Sequence, residues 1–408
     1  MKPEQVCHFL WDLDYFTFDD GDKTQLTRTF EGLRYASLVI AVITCILGLV
    51  GNSLVILVSG FKMKKVKTMT WFLNLAVADL IFLICLPMSA IALFKDQWYF
   101  EEFFCKVYHF LSNLNMYASI FILTALSIDR CLSVAQPLWH RHFVSHNLVH
   151  WVCLMLWLFT ITISIPGFVF SHVQTIHNKR YCSLGFYRSN QFDASKIFIN
   201  SSACEKTYIP RTNKQSYIQE IWLLLKYGNM TYVPKDFPLH REECQHNFSQ
   251  FFETCIDKVQ LDHWNTMVSD AYLLITPLLI GGFLIPLVII ILANIIIAFQ
   301  AKRSKSKVSP KLYKLIVAMV ALFFCSWTPL AVVETLFLKA IRNMDFHLLY
   351  SIDTVLPLVS SIASFHSCLN PILYVLLSKR VKKKLTESFG NVWIGVNTRP
   401  TSTTQCTR

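Results

Sequence analysis

The chain alternates between long runs of apolar residues and short polar connections. Residues 36–60, ASLVIAVITCILGLVGNSLVILVSG, contain no charged side chain, and similar runs recur along the sequence. Lipid offers an exposed backbone amide no partner, so a crossing segment must be a helix of ~20 mainly apolar residues. Seven segments qualify, at about 34–60, 70–94, 104–130, 148–171, 270–300, 312–338 and 349–377. The stretch IWLLL at 221–225 is too short to cross. The pattern predicts an all-α membrane protein, a bundle of seven transmembrane helices. Composition agrees, with 53% of residues hydrophobic and only 16% charged.

Lys and Arg near the ends of spans set the orientation, because basic loops stay cytosolic. Lys62, Lys64, Lys65 and Lys67 follow the first span, Lys302, Arg303, Lys305, Lys307, Lys311 and Lys314 the fifth, and Lys379, Arg380, Lys382, Lys383 and Lys384 the seventh. All fall on one side, which is then cytosolic. The net charge of +12 reads as this topology signal and not as a nucleic-acid footprint. An amino terminus of residues 1–33, acidic through Asp12, Asp14, Asp19, Asp20 and Asp22, lies outside, a seven-span body covers 34–377, and a cytosolic tail covers 378–408. Residues 1–33 lack the build of a cleaved secretory signal, so the first span is expected to serve as its own.

A connection at about 172–269 separates the fourth and fifth spans and carries three glycosylation sequons, at Asn200, Asn229 and Asn247. Their confinement to a loop already assigned outside agrees with the charge pattern. Of thirteen cysteines, Cys7, Cys105, Cys182, Cys204, Cys244 and Cys255 face the oxidising side. We expect Cys105 to pair with Cys182, tying the third span to the long loop; the other four allow three connectivities. Cys45, Cys85, Cys153, Cys325 and Cys368 read as small apolar packing residues.

Ionisable groups inside spans are costly and face the bundle interior, so Asp79, Asp129, Arg130 and Glu334 each call for an explanation. Taken alone, Asp129 and Arg130 could be a snorkelling pair. They stand among Gly51-Asn52 in the first span, NLAVADL around Asp79 in the second, Trp157 in the fourth, Pro286 in the fifth, SWTP with Trp327 and Pro329 in the sixth, and NPILY with Asn370, Pro371 and Tyr374 in the seventh. In this order and spacing the chain resembles the rhodopsin-like (class A) family of G-protein-coupled receptors along its whole seven-span body.

The resemblance implies roles. Asp129 and Arg130 would form the switch at the cytosolic end of the third span, the arginine held at rest and meeting the G protein when the bundle opens. Leu138 would be the apolar knob for the G protein, and Tyr374 a support of the active state. Trp327, Pro329, Asn370 and Pro371 would be activation microswitches, since each proline removes a helical hydrogen bond and permits a bend. Asp79, Asn115, Ser119 and Asn370 would line a buried sodium pocket of hard oxygen ligands; otherwise the family implies no cofactor. Departures from the family are His366 for an asparagine beside that pocket, Asn294 for the fifth-span tyrosine, Ser326 for the cysteine before Trp327, and Ser309 for the acidic residue that opens the sixth span. With Ser309 there, release of Arg130 would rest mainly on Asp129.

DRCLSVAQPLW at 129–139 resembles the chemoattractant branch, which includes anaphylatoxin, formyl-peptide, chemerin and prostaglandin D receptors, and FKMKKVKTMTWFLNLAVADL adds to it. The long loop is similar to the enlarged second extracellular loop of the anaphylatoxin receptor. Ser112 and Ser364 occupy the places of the amine-receptor aspartate and the opsin lysine, and Leu278 that of an arginine for a ligand carboxylate. Ser112 and Glu334 are candidate ligand contacts, Glu334 for a cationic group. The partners implied are an extracellular peptide, protein or lipid ligand, a heterotrimeric G protein of the inhibitory class and arrestin, with the plasma membrane as location. A short amphipathic helix at 379–389, lysines on one side and Leu385 and Phe389 on the other, would lie along the cytosolic lipid surface. Nothing resembles a nucleotide loop or a nucleophile–base pair, so no enzyme is expected. The rivals are a scavenger of the same fold that does not signal, suggested by Asn294 and Ser326, and a seven-span transporter, which would show internal repeats.

Overall fold

The computed structural model describes residues 20–62, 67–176, 179–184, 258–303, 310–343 and 346–377. Helix α1 runs over Asp20–Leu57 and closes in a π turn, Val58–Lys62. Helices α2 (Lys67–Lys95), α3 (Glu102–Ala135), the short α4 (Pro137–Phe143) and α5 (His146–Val169) follow. An antiparallel hairpin, β1 (Ser171–Ile176) and β2 (Lys179–Leu184), precedes α6 (Lys258–Leu279), a π turn at Ile280–Leu284, α7 (Ile285–Arg303), α8 (Pro310–Asn343) and α9 (Phe346–Leu377). Seven helices are long and apolar enough to cross a membrane, α6 and α7 forming one through the π turn. They match the seven expected segments, with ends extended by up to a few turns.

The sequence explains why these helices bundle. Large apolar side chains such as Val50, Ile84, Trp151 and Leu273 point outward, toward lipid, whereas Asn52, Asp79, Asn115, Ser119, Ser367 and Asn370 are buried. Hydroxyls that would otherwise be stranded bond back to their own helix, as Ser37 does to Leu33 O at 2.6 Å and Thr44 to Ile40 O at 2.7 Å. Helix α3 runs through the middle, against α2, α5 and α7, while α1 packs on α2 and α9 and α8 packs on α9. Gly51 lets α1 approach α9 closely: a Cβ there would sit 2.7 Å from the Pro371 ring. Trp157 Nε1 donates to Asn74 Oδ1 at 2.9 Å and joins α5 to α2.

One face carries the hairpin. Cys105, at the start of α3, is disulfide-bonded to Cys182 of β2, with Cα atoms 5.6 Å apart. Trp98 N donates to Arg180 O at 2.6 Å and Arg180 Nη2 to Phe100 O at 2.9 Å, so the hairpin lies against the turn between α2 and α3. Asp96, in the left-handed region at φ 54°, accepts from Lys179 at 2.5 Å, which holds that ammonium above its ordinary range. Of the expected packing cysteines, Cys153 and Cys368 are buried, but Cys325 is exposed on the outer side of α8. That corrects the expectation: α8 is apolar on both sides, so sequence could not separate a lipid-facing thiol from a packed one.

Candidate functional site

Three layers of polar and aromatic groups lie along the bundle axis. Nearest the hairpin face is a cavity lined by Met116 and Tyr117 of α3, Leu278 and Phe283 around the π turn, and Trp327 and Glu334 of α8. The π turn exists where Gly281 and Gly282 sit, and the Tyr117 ring fills the space a Gly282 side chain would need, 2.4 Å from that Cβ. A widened turn beside a cavity is a common functional device. Glu334 stands two helical turns beyond Trp327 on the same side of α8. No cationic side chain among the described residues pairs with it, so the cavity offers an apolar body and one carboxylate. Ser112 does not line it.

The middle layer is polar and closed. Trp327 Nε1 lies 3.2 Å from His366 Nδ1, the nitrogen that also stands 2.7 Å from Ala363 O, and the imidazole is edge-on to Phe323, ring centroids 5.3 Å apart. His366 Nε2 is 3.7 Å from Asp79 Oδ1, and Asn370 Nδ2 donates to Asp79 Oδ2 at 2.9 Å. Asn115 Nδ2 donates to Ser367 Oγ at 3.0 Å, Ser119 Oγ to Asn115 Oδ1 at 3.1 Å, and Asn52 Nδ2 to Ser367 O at 2.8 Å. Buried polar groups need such partners. The sequence had singled out Asp79, Asn115, Ser119 and Asn370; the structure gathers them in one layer and adds Ser367, whose only sequence signal is its place one turn before Asn370.

At the opposite end Arg130 Nε donates to Asp129 Oδ2 at 3.0 Å, and Nη2 reaches the same oxygen. Asp129 Oδ1 accepts from His140 Nε2 of α4 at 2.8 Å. Pro137 opens α4 directly after α3, and this turn folds His140 back over the end of α3. Arg130 is therefore held by its neighbour, and the carboxylate is in addition shared with a residue of the next helix. Eleven residues separate the two in sequence, which is why spacing alone missed the contact. Leu138, on the outer face of α4, is 85% exposed.

Pro329 and Pro371 lie inside α8 and α9, and Tyr374 on the last turns of α9. Asn294 turns its amide nitrogen to Ile290 O of its own helix at 2.8 Å, leaving a buried Oδ1 without a partner. Asn200, Asn229, Asn247, Cys7, Cys204, Cys244, Cys255, Ser309 and the 379–389 segment lie outside the described residues. Among those described, the single cluster of three His, Cys or carboxylate groups close enough for a metal is Cys105, His109 and Cys182, whose two sulfurs are already bonded to each other.

The sequence pattern of the 7 transmembrane receptor (rhodopsin family) matches residues 51–211 and 240–374. Chemerin-like receptor 1 of Mus musculus is 30% identical over 347 residues, spanning 85% of this chain and 76% of the relative. The C3a anaphylatoxin chemotactic receptor of Rattus norvegicus is 27% identical over 472 residues, spanning 97% of each. N-formyl peptide receptor 3 of Homo sapiens is 28% identical over 355 residues, spanning 86% of this chain and 82% of the relative. All are receptors and none is an enzyme by name.

Proposed function

Because this chain belongs to the rhodopsin family of seven-transmembrane receptors, in its chemoattractant branch, we propose that it converts binding of an extracellular peptide or protein mediator into activation of a heterotrimeric G protein of the inhibitory class. The hairpin face is extracellular and the Asp129 face cytosolic in this reading, as the basic connections require. A ligand end with an apolar body and a cationic group enters the cavity above Trp327 and pairs with Glu334. Its contact with Trp327 favours an open arrangement of α8, bending at Pro329, and that arrangement releases Arg130 from Asp129 to meet the G protein. Thermodynamically it is a two-state bundle biased from both ends. Arrestin engages Thr398, Thr401, Ser402, Thr403, Thr404 or Thr407 once phosphorylated, and the lysines of 379–389 bind anionic lipid.

The observation that carries this reading is the pairing of an apolar, single-carboxylate cavity at one end of the bundle with a held arginine at the other. The test is a parallel cell assay of G-protein dissociation and arrestin recruitment with complement fragments, formyl peptides, chemerin-type proteins and prostanoids. A G-protein response that Arg130→Ala abolishes is expected; a response to neutral lipids alone would replace the ligand class. The second reading is a scavenger, favoured by Asn294, whose short amide is spent on its own helix and cannot reach across to support an active state. Ligand-driven uptake or arrestin recruitment with no G-protein response would establish it.

A further inference from the structure

The rhodopsin-like fold implies a sodium ion beside the buried carboxylate of α2, and the residues around Asp79 can be tested against that ion. A hard cation needs several oxygen ligands at ~2.3–2.6 Å, and imidazole nitrogen belongs to softer transition metals. One feature fits: Asp79 Oδ1 is fully buried and has no hydrogen-bond partner. The amides do not help: Asn115 Nδ2 is bound to Ser367, Asn115 Oδ1 accepts from Ser119, and Asn370 presents Nδ2, not its oxygen, to the carboxylate, which leaves the Ser119 and Ser367 hydroxyls as the neutral oxygens of the layer. The group that faces the free oxygen is His366 Nε2, at 3.7 Å. A cation roughly 2.4 Å from Oδ1 on the line between them would stand about 1.3 Å from that nitrogen, well inside contact distance.

The imidazole is also fixed where it is. His366 is 2% exposed, its Nδ1 lies 2.7 Å from Ala363 O and 3.2 Å from Trp327 Nε1, and Phe323 packs edge-on against its ring. It cannot swing aside without breaking those contacts in a closed layer. We propose that His366 stands in for the ion, so that this receptor binds no Na+ at Asp79 and sets its resting equilibrium without it. The ring then links Trp327 directly to the Asp79 layer, and a ligand that moves Trp327 displaces a covalently attached group instead of expelling a diffusible one. None of this depends on which ligand fills the cavity.

The test is the melting temperature of the purified full chain in detergent, followed by tryptophan fluorescence, in NaCl against KCl at equal ionic strength and fixed pH. The wild type is expected to melt at the same temperature in both salts. His366→Asn, which puts an amide oxygen beside Oδ1, is expected to gain a saturable, NaCl-specific rise of about 2–4 °C, the shift given by a ligand at ~10 times its Kd. His366→Gln offers the same oxygen should the asparagine variant fold poorly. A saturable NaCl-specific rise in the wild type that Asp79→Asn removes would overturn the proposal. Folded oxygen-bearing variants as indifferent to Na+ as the wild type would overturn the role of His366.

Discussion

Asp129→Asn removes one charge and almost no volume, and it separates the hold on Arg130 from the hold on α4. Asparagine keeps an oxygen for His140, which donates at 2.8 Å, but it no longer offers the arginine an anion. Arg130 binds Asp129 Oδ2 through both Nε and Nη2, with 20% of its side chain exposed against 8% for the aspartate. A hydrogen bond to a charged group contributes ~1.5–3 kcal/mol, and a pair between neighbours at the rim of the bundle falls at the low end, about 1.5 kcal/mol. That is roughly tenfold in the equilibrium between held and released arginine. If the open state holds ~1% of molecules at rest, the variant should hold roughly 10%. Basal nucleotide exchange on an inhibitory G protein in receptor-containing membranes, normalised to surface receptor number, reads this. Ligand-free arrestin recruitment reads the same opening in a receptor that shuns G protein. A variant of unchanged melting temperature and surface number, with both basal signals at the wild-type level, would refute the lock.

The remaining predictions concern packing and the cavity. Gly51→Ala must part α1 from α9, because its Cβ would lie 2.7 Å from the Pro371 ring; overpacking of about 1–3 kcal/mol should lower the melting temperature in detergent, and an unchanged value would contradict the close approach. Trp157→Phe removes the 2.9 Å bond to Asn74 and should lose about 1 kcal/mol of stability, measured by the same melting, with little change in ligand response. Glu334→Gln should weaken the response to ligands with a basic end by roughly tenfold or more while sparing neutral ones, since only the charge pair is lost; equal loss for both classes in a dose–response assay would remove Glu334 from ligand recognition.

Seven crossings, their order and the inward face of the charged side chains were legible because lipid leaves no alternative: a charged or amide side chain inside a 20-residue apolar run has to point inward. Asp79 is visible on that ground, whereas Asn115, Ser119 and Asn370 were singled out through the resemblance to the receptor family. Which of them touch is not visible, because helix rotation within the bundle decides it. Ser367 escaped notice as one serine among Ser360, Ser361 and Ser364 on the same helix, although it alone bonds Asn115 and takes Asn52 on its carbonyl. His140 escaped because a seven-residue helix beginning at a proline carries no periodic signal; its return to Asp129 is set by the sharp turn at Gln136. The π turn was foreshadowed by Gly281-Gly282, but glycine pairs in spans equally serve close helix packing.

The three layers are joined by contacts, not merely stacked. Trp327 borders the cavity and its ring packs against His366; His366 faces the carboxylate that Asn370 binds; Asn370 precedes Pro371, which seats against Gly51 of α1. Tyr374 lies one turn further along the same helix, toward the Asp129 face. Close-packed interiors deform by switching between arrangements and not by gradual yielding. A displacement of Trp327 by a ligand is therefore passed to His366 and α9, and through Asn115–Ser367 to α3, which the Tyr117 ring seats against Gly282. This makes the Trp327–His366 contact the point where coupling between the ends can be cut. His366→Phe would fill the same space with no nitrogen to face either the indole or Asp79. It should leave Asp129→Asn as able as before to raise basal exchange, while agonist-driven exchange falls. Loss of both together would mean that His366 serves only to hold the fold.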